Sequence, residues 1–373
     1  MRAKPDGSYI SYFSNLVKVN GGINLAQGIP GFQPPIELIE ILKDVADTHC
    51  HQYAPGIGNL QLRALIENHY GISPDELLVV QGATEGLSLV YTYLFKKLGN
   101  SLVTLSFEPA YESYSRLPQI FNQKFVSFPL LNDESVDFEE LKRTVESSKV
   151  KLIFVSSPGN PYGKVWSQTE VNKLLELADI FGFYVIFDSV YHELYFSQIP
   201  YIPIDKLSDK LFIVGSFSKS LCITGWRVGY VIHNAKHAKS IRAIHDYIGL
   251  CAPSVMQQAL AIYLEKYQFG SGYCSNLRGN VKYAFETLSK VLTRFEFEIP
   301  KIEGGWFIWA KLPKPFTDGF EFASALYDAT GVAVIPGEHF SVNKTNWLRF
   351  NVARPIEEIS LAGGKIADFI SKK

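Results

Sequence analysis

The chain has 373 residues, 47% of them hydrophobic and 20% charged, with a formal net charge of −1. That length allows a sizeable core and more than one lobe, while the absence of any charge excess or basic run argues against nucleic acid or an acidic membrane surface as the main partner. Four scattered cysteines (Cys50, Cys222, Cys251 and Cys274) form no CxxC pair, which argues against a zinc site or a disulfide framework and suits a reducing cytoplasm.

The opening stretch MRAKPDGSYISYF lacks the apolar core of a signal peptide, and no apolar run reaches the ~18 residues a membrane helix needs. A cytoplasmic location is therefore expected. Short apolar runs recur along the chain: LLVV (77–80), LVTL (102–105), KLIFV (151–155), FYVIF (183–187), LFIV (211–214) and VGYVI (228–232). They do not alternate with polar residues, as expected of strands covered on both faces. Helical patterns separate several of them. The clearest starts at Ser167-Gln-Thr-Glu170, which matches a capping box and is followed by Val171, Leu174, Leu175 and Ala178 on one face. Strands alternating with helices predict an α/β fold with a mostly parallel sheet between helices.

After about Pro253 the pattern changes. Helices are predicted over 255–267 and 276–295, then strand-like pieces GGWFIWAKL (304–312), VAVIPG (332–337) and WLRFNVA (347–353). This predicts a smaller α+β lobe. Residues 33–265 are expected to form the large domain, and residues 1–32 with 266–373 the small one.

In an open parallel sheet, ligands bind beyond the carboxyl ends of the strands, so the residues just past each run carry the functional signal. LLVV leads into Gly82-Ala83-Thr84, a small-residue turn opening a helix. Its free N–H groups suit a phosphate, although a plain N-cap by Thr84 explains it as well. LVTL leads into SFEPAYESY, where Tyr111 either stacks on a planar ring or packs at a lobe interface. KLIFV leads into Asn160-Pro161, a turn former whose amide is also a ligand donor. FYVIF leads into Asp188, a carboxylate that is costly at a buried strand end unless donors or a cation face it, or that caps the next helix. LFIV leads into SFSKSLCITGWRVGY (216–230), which offers Ser216, Ser218 and the fork of Arg227 to an anion and holds Lys219 close by. A phosphate cradle, a stacking ring, a carboxylate and a lysine together match pyridoxal 5′-phosphate.

On these residues the sequence resembles the class I/II pyridoxal-phosphate aminotransferases of fold type I over nearly the whole chain. The strongest match is the S-x-[SG]-K segment at 216–219 followed by Arg227. NLAQGIPGFQPP (24–35), QYAPGIGNLQLR (52–63), GATEGL (82–87), EPAYESY (108–114), GNPYGKVW (159–166), DSVY (188–191) and LRFNVA (348–353) stand around it in the family's order. NLAQGIP and GKVW look most like the subgroup of kynurenine, glutamine and methionine aminotransferases. The resemblance implies that Lys219 forms the Schiff base and moves the proton, and that Asp188 keeps the ring nitrogen protonated. It implies that Tyr191 and Asn160 bond the ring 3-oxygen and that Tyr111 stacks on the ring. Gly82, Ala83, Thr84, Ser216, Ser218 and Arg227 hold the phosphate. Arg349 clamps the substrate α-carboxylate, helped by Asn160 and the Gly28 backbone. Tyr53 reaches the cofactor of a neighbouring subunit, which implies a homodimer. The implied substrates are an amino acid and a 2-oxo acid.

The sequence departs from the family at Ser189 after Asp188, at Tyr162 within Asn160-Pro-Tyr-Gly163, and at Ser157, where an Asn is common. Tyr9, Tyr12, Phe13 and Trp306 either line an apolar side-chain pocket, favouring aromatic amino acids, methionine or glutamine as donors, or are core aromatics. The alternatives in function are a C–S lyase or other α-carbon chemistry on the same scaffold, and a non-enzymatic regulator. The latter carries an added DNA-binding module, for which a resemblance starting near Asn24 is expected to leave no room.

Overall fold

In the computed structural model, residues 3–131 and 133–372 are described. Residues 1, 2 and 373, the ends of the expected small lobe, lie outside them. The chain opens with helix α1 (Tyr9–Asn20), a short strand β1 (Ile23–Asn24), and helices α2 (Ile36–Ala46) and α3 (Leu60–Tyr70). Strand β2 (Leu77–Val80), helix α4 (Ala83–Leu98), strand β3 (Thr104–Glu108), helix α5 (Ser113–Ile120), strand β4 (Phe125–Pro129) and helix α6 (Phe138–Ser148) come after them. Next are β5 (Leu152–Ser156), α7 (Gln168–Phe181), β6 (Tyr184–Asp188), β7 (Leu211–Ser216), the single turn α8 (Phe217–Ser220) and β8 (Gly229–His233).

The strands β2 to β8 form one seven-stranded sheet in the order β2-β8-β7-β6-β5-β3-β4. Only β8 runs against its neighbours, antiparallel to both β7 and β2. Its reversal has a consequence for the site. The carboxyl ends of β2, β3, β5, β6 and β7 share one edge with the amino end of β8, so Arg227 reaches that edge from before its strand rather than after it.

The unbroken apolar runs have a direct cause. Leu77, Val79, Ile153, Val155, Val185, Phe187, Leu211 and Ile213 belong to the core on one face. Their sequence neighbours Leu78, Val80, Leu152, Phe154, Ile186, Phe212 and Val214 belong to the core on the other. Successive side chains point to opposite faces, and both faces are covered, so every position must be apolar. Burying each such side chain contributes about 1.5–3 kcal/mol. The capping box forms at α7: Ser167 Oγ accepts from Glu170 N–H at 3.2 Å, and Glu170 Oε2 accepts from Ser167 N–H at 2.9 Å.

The remaining elements are α9 (Ala238–Ile248), α10 (Ser254–Lys266), α11 (Ser271–Arg294), β9 (Phe307–Lys311), α12 (Gly319–Thr330), β10 (Val332–Ala333), β11 (Ile335–Pro336), β12 (Trp347–Asn351) and α13 (Ile356–Ile370). A three-stranded antiparallel sheet has the order β11-β12-β9, and β1 pairs in parallel with β10. Phe13, Ile23 and Leu25 from the amino-terminal segment share a core with Leu288, Trp309, Phe350 and Ile366. The segment around residues 13–25 thus packs on the C-terminal third of the chain.

Three details differ from the sequence reading. Strand β3 starts at Thr104 rather than at residue 102 and runs on through Ser106-Phe107-Glu108, polar ends included, because it is sandwiched between β4 and β5. Strand β4, FVSFP at the sheet edge, is interrupted by Ser127 and Pro129 and so forms no continuous apolar run. The VAVIPG stretch is two short strands pairing with different partners, β1 and β12. Among the described residues, no helix is long and apolar enough to cross a membrane.

Candidate active site

A cavity of about 260 Å³ lies over the shared strand edge, where the small sheet meets the large one. Its wall contains Lys219, Asp188, Tyr191, Ala83, Thr84, Tyr111, Asn160, Ser216, Ser218, Arg227, Arg349 and Gly28. Each comes from a segment singled out in the sequence, and the fold brings them together.

The turn after β2 is built by glycine. Gly82 is the N-cap of α4 with φ 78°, a conformation L side chains rarely adopt. A Cβ there would stand 2.6 Å from Arg227 Nη2, so glycine also admits the guanidinium. Arg227 donates to Thr224 O at 2.9 Å and to Gln81 O at 3.1 Å, while the Gln81 N–H donates to the Glu85 carboxylate. On the β7 side, Ser216 Oγ donates to Ser218 Oγ at 2.9 Å and accepts from Ser218 N–H at 3.1 Å. These groups form a cup of hydroxyls, backbone donors and one cation. Thr84 is not the cap of α4; Gly82 is.

Asp188 ends β6 fully out of water. Burial pushes its carboxyl up to about 6, against the pull of the Tyr114 hydroxyl, the Val190 N–H and the Lys219 charge. Tyr114 Oη donates to Asp188 Oδ2 at 2.7 Å and Val190 N–H to Oδ1 at 3.1 Å. Tyr114 lines the cavity and was missed in the sequence. It sits three residues after Tyr111 at the opening of α5, and that spacing was its only signal.

Lys219 sits on the one-turn helix after β7, its Nζ donating to Gly28 O at 2.9 Å. Burial, then the Arg349 and Arg227 charges, bring its amine down to about 8. Tyr191 stands nearby, its phenol raised by burial and its ring edge-on to Trp306 at 5.3 Å. Tyr111, likewise raised by burial, meets Tyr114 edge-on at 5.7 Å.

Arg349 projects from β12 into the opposite wall with 1% of its surface exposed. It donates to Asn160 Oδ1 at 2.9 Å and to Ala26 O at 2.7 Å, and its buried Nε has no partner. Its guanidinium carbon lies 4.1 Å from the Phe307 ring centre and 4.7 Å from that of Phe340. Both described hydrogen bonds go to uncharged acceptors, so this cation is not spent in a strand salt bridge. Burial brings its pKa down to about 10.

Tyr53 stands apart. It is 82% exposed and outside the cavity wall. The pocket reading of Tyr9, Tyr12, Phe13 and Trp306 is also corrected. Tyr9, Tyr12 and Phe13 pack around Phe320, and Trp306 is fully buried, edge-on to Tyr191, with Lys219 Nζ 5.2 Å from its ring centre. Helix α1 turns its aromatic face to the core and leaves Ile10 to reach the cavity.

The family model for aminotransferase class I and II matches residues 20–362. A methionine aminotransferase from Escherichia coli is 30% identical over 339 residues, spanning 87% of this chain and 85% of the relative. The solved structure of an Escherichia coli protein with a methionine aminotransferase function superposes with TM-score 0.88 at 27% identity, covering 99% of this chain and 100% of that one. That of the N-succinyldiaminopimelate aminotransferase from Mycobacterium tuberculosis gives 0.89 at 26% identity, covering 98% and 97%. The fold is that of the fold type I pyridoxal-phosphate enzymes.

The donor set fits that cofactor. Arg349 Nε is buried without a partner, the Arg227 guanidinium lines the cavity with the Ser216 and Ser218 hydroxyls and the start of α4, and a buried carboxylate and a readily neutralised amine share the same small volume. The chain belongs to the class I and II aminotransferases, enzymes that use pyridoxal 5′-phosphate to pass an amino group from an amino acid to a 2-oxo acid.

Proposed function

We propose that this aminotransferase holds the cofactor phosphate with Gly82, Ala83, Thr84, Ser216, Ser218 and Arg227, the ring nitrogen with Asp188, the ring 3-oxygen with Tyr191 and Asn160, and a ring face with Tyr111. When bound, the cofactor supplies an aldehyde that takes up amino groups and a ring that draws electrons from the substrate α-carbon. The Asp188 carboxylate keeps a proton on the ring nitrogen. The Lys219 amine, held down to about 8, would accept and hand back the proton at the substrate α-carbon. Arg349 would receive the substrate α-carboxylate on its fork and so fix the orientation of the α-carbon beside the Lys219 amine. The carrying observation is that Lys219, Asp188 and Arg349, from three separate segments, wall one small cavity.

The donor is an aromatic amino acid, methionine or glutamine. Ile10 and Ile29 on the wall support this, as does the likeness to a methionine aminotransferase. The test is a donor and acceptor panel on the holoenzyme, reading 2-oxo acid release. Turnover of these donors and its loss in Lys219→Ala support the reading. Activity on aspartate alone overturns the donor assignment, and steady release of ammonia with pyruvate or another 2-oxo acid when no acceptor is added marks a lyase.

The same reading divides the chain into a large domain of residues 33–265 and a small one of 1–32 with 266–373. It also pairs two copies of the chain in the cytoplasm. Tyr53, Leu60, Tyr247 and Ile248 are exposed at 82%, 67%, 94% and 56%. The Ser254 hydroxyl, at the start of α10 and six residues past Ile248, donates to Gln52 O at 2.6 Å beside Tyr53. A joint apolar surface of this kind suits a second copy, whose Tyr53 would reach the neighbouring site. Sedimentation as a monomer at micromolar concentration would exclude the pairing.

A further inference from the structure

The charges on the cavity wall are few. Lys219, Arg227 and Asp188 serve the cofactor in the function proposed above, which leaves Arg349 and Glu112. Arg349 takes the α-carboxylate. The one charged group remaining for the rest of the substrate is therefore an acid.

Glu112 is held in place by contacts between the large and small sheets' segments. Ala110 N–H donates to Phe340 O at 3.1 Å and Ser341 Oγ to Glu108 Oε2 at 2.7 Å, which docks the 337–341 turn against residues 108–112. Glu112 Oε2 then stands 3.2 Å from His339 Nε2, a contact not aligned as a hydrogen bond. The Tyr9 ring lies over His339 at 5.9 Å and 25°. Burial and the charges of Arg349 and Arg116 push His339 down to about 3, so it is neutral. Burial raises the Glu112 carboxyl, while the cations facing it, Arg116 and Arg349, together with the Ser8 hydroxyl favour its ionised form. Phe340, next in the chain, covers the Arg349 guanidinium. One short segment thus sets the acid beside the cation that orients the substrate.

We propose that Glu112 is a specificity-determining residue that turns away amino acids with a side-chain carboxylate and accepts a hydrogen bond from a neutral donor on the substrate side chain, such as a carboxamide. A second substrate carboxylate would find no free cation on the wall and a like charge instead, whereas a carboxamide of the same shape offers N–H groups to the acid. The inference rests on Arg349 binding the α-carboxylate.

Glutamine and glutamate, nearly identical in shape, isolate the effect. The holoenzyme is expected to favour glutamine by about 10-fold or more in kcat/KM, and Glu112→Gln to shrink that ratio by about 10-fold, mainly through KM for glutamate. Calorimetric titration of the holoenzyme with the unreactive acids glutaramate and glutarate reads the same ratio without turnover. Glu112→Asp keeps the charge and is expected to keep the preference. An unchanged ratio in Glu112→Gln, its loss in both variants, or faster turnover of ornithine than of glutamine overturns the proposal. Arg349→Ala separates the two layers. If it weakens both unreactive acids while Glu112→Gln leaves their ratio intact, only the role of Glu112 falls; if it weakens neither, the underlying assignment falls with it.

Discussion

The Tyr114 hydroxyl and the Asp188 carboxylate meet at 2.7 Å beneath the cavity floor, with the Tyr114 ring stacked on Phe154 at 4.7 Å and 9°. The stack fixes the phenol, and the phenol fixes the acid. Asp188 is thereby kept as a localised carboxylate where desolvation alone would favour its neutral form.

Function here works against the stability of the empty protein. Asp188 has its carboxyl raised to about 6, against ~3.9 in an unfolded chain. The folded apoprotein therefore holds a proton that the unfolded chain has lost between about pH 4 and 6. Stability falls as pH rises through that window, and about 2–3 kcal/mol of cost is fully present above it. Asp188→Asn removes the charge, keeps an oxygen to accept from Val190 N–H, and turns an NH2 toward Tyr114 Oη, which can accept in place of donating. The apoprotein of this variant is expected to melt at or above the wild-type temperature at pH 7.5, the difference closing near pH 4, while turnover drops by about 10³-fold or more. Paired thermal melts at the two pH values check this, and a variant markedly less stable at pH 7.5 would contradict it.

Tyr114→Phe probes the other partner. Losing a donor to a charged group costs about 1.5–3 kcal/mol, so the carboxyl is expected to climb by about one to two pH units. Pyridoxal phosphate should then bind about 10-fold more weakly at pH 6 than in the wild type, with a smaller loss at pH 8.5, where Asp188 is ionised in both. Fluorescence titration of the apoprotein measures it. A pH-independent loss would assign Tyr114 a packing role alone.

The amine of Lys219 can be titrated directly. Burial and the Arg349 and Arg227 charges hold it down to about 8. A lysine with a lowered pKa destabilises the fold below about pH 8 and ceases to do so as pH climbs toward ~10.4, where the unfolded amine also loses its proton. Competitive acetylation of the apoprotein followed by peptide mass spectrometry should show Lys219 reacting with a midpoint near 8. Arg227→Met should raise that midpoint, and a midpoint at the surface-lysine value would mean that the amine is solvated.

The strand-end row was legible in the sequence because its chemistry conflicts with its surroundings. Gly82, Asp188 and Lys219 each stand at or just past the end of a fully buried strand, and a polar or turn-forming residue in that place calls for a partner. Residues whose identity agrees with their surroundings were silent. Tyr114, in the first turn of α5, reads as an ordinary packed aromatic, and Phe340 and His339 sit in a turn that meets Glu112 only across more than two hundred residues of chain. The aromatic residues of α1 misled for the same reason, since a stripe at helical spacing looks alike whether it faces a core or a ligand. Register along β12 sends Arg349 into the cavity and Leu348 into the core, and only the LRFNVA resemblance pointed to that difference beforehand.

Arg349 itself separates charge from geometry. Arg349→Lys keeps one positive charge but loses the fork, since a single ammonium nitrogen cannot reproduce the planar geometry in which Nη1 and Nη2 bond Asn160 Oδ1 and Ala26 O separately. It also loses the flat contacts with Phe307 and Phe340. Amino-acid kcat/KM is expected to fall by about 100-fold, largely in KM, because the carboxylate would still be attracted but no longer held in one orientation. Arg349→Gln removes the charge as well, so two effects should appear together: a deeper loss in KM, and a higher acetylation midpoint for Lys219, whose amine the Arg349 charge helps to lower. The lysine variant should leave that midpoint nearly unmoved. If Lys and Gln at this position shift Lys219 equally, the coupling between the substrate clamp and the amine is not electrostatic, and packing across Phe307 must carry it.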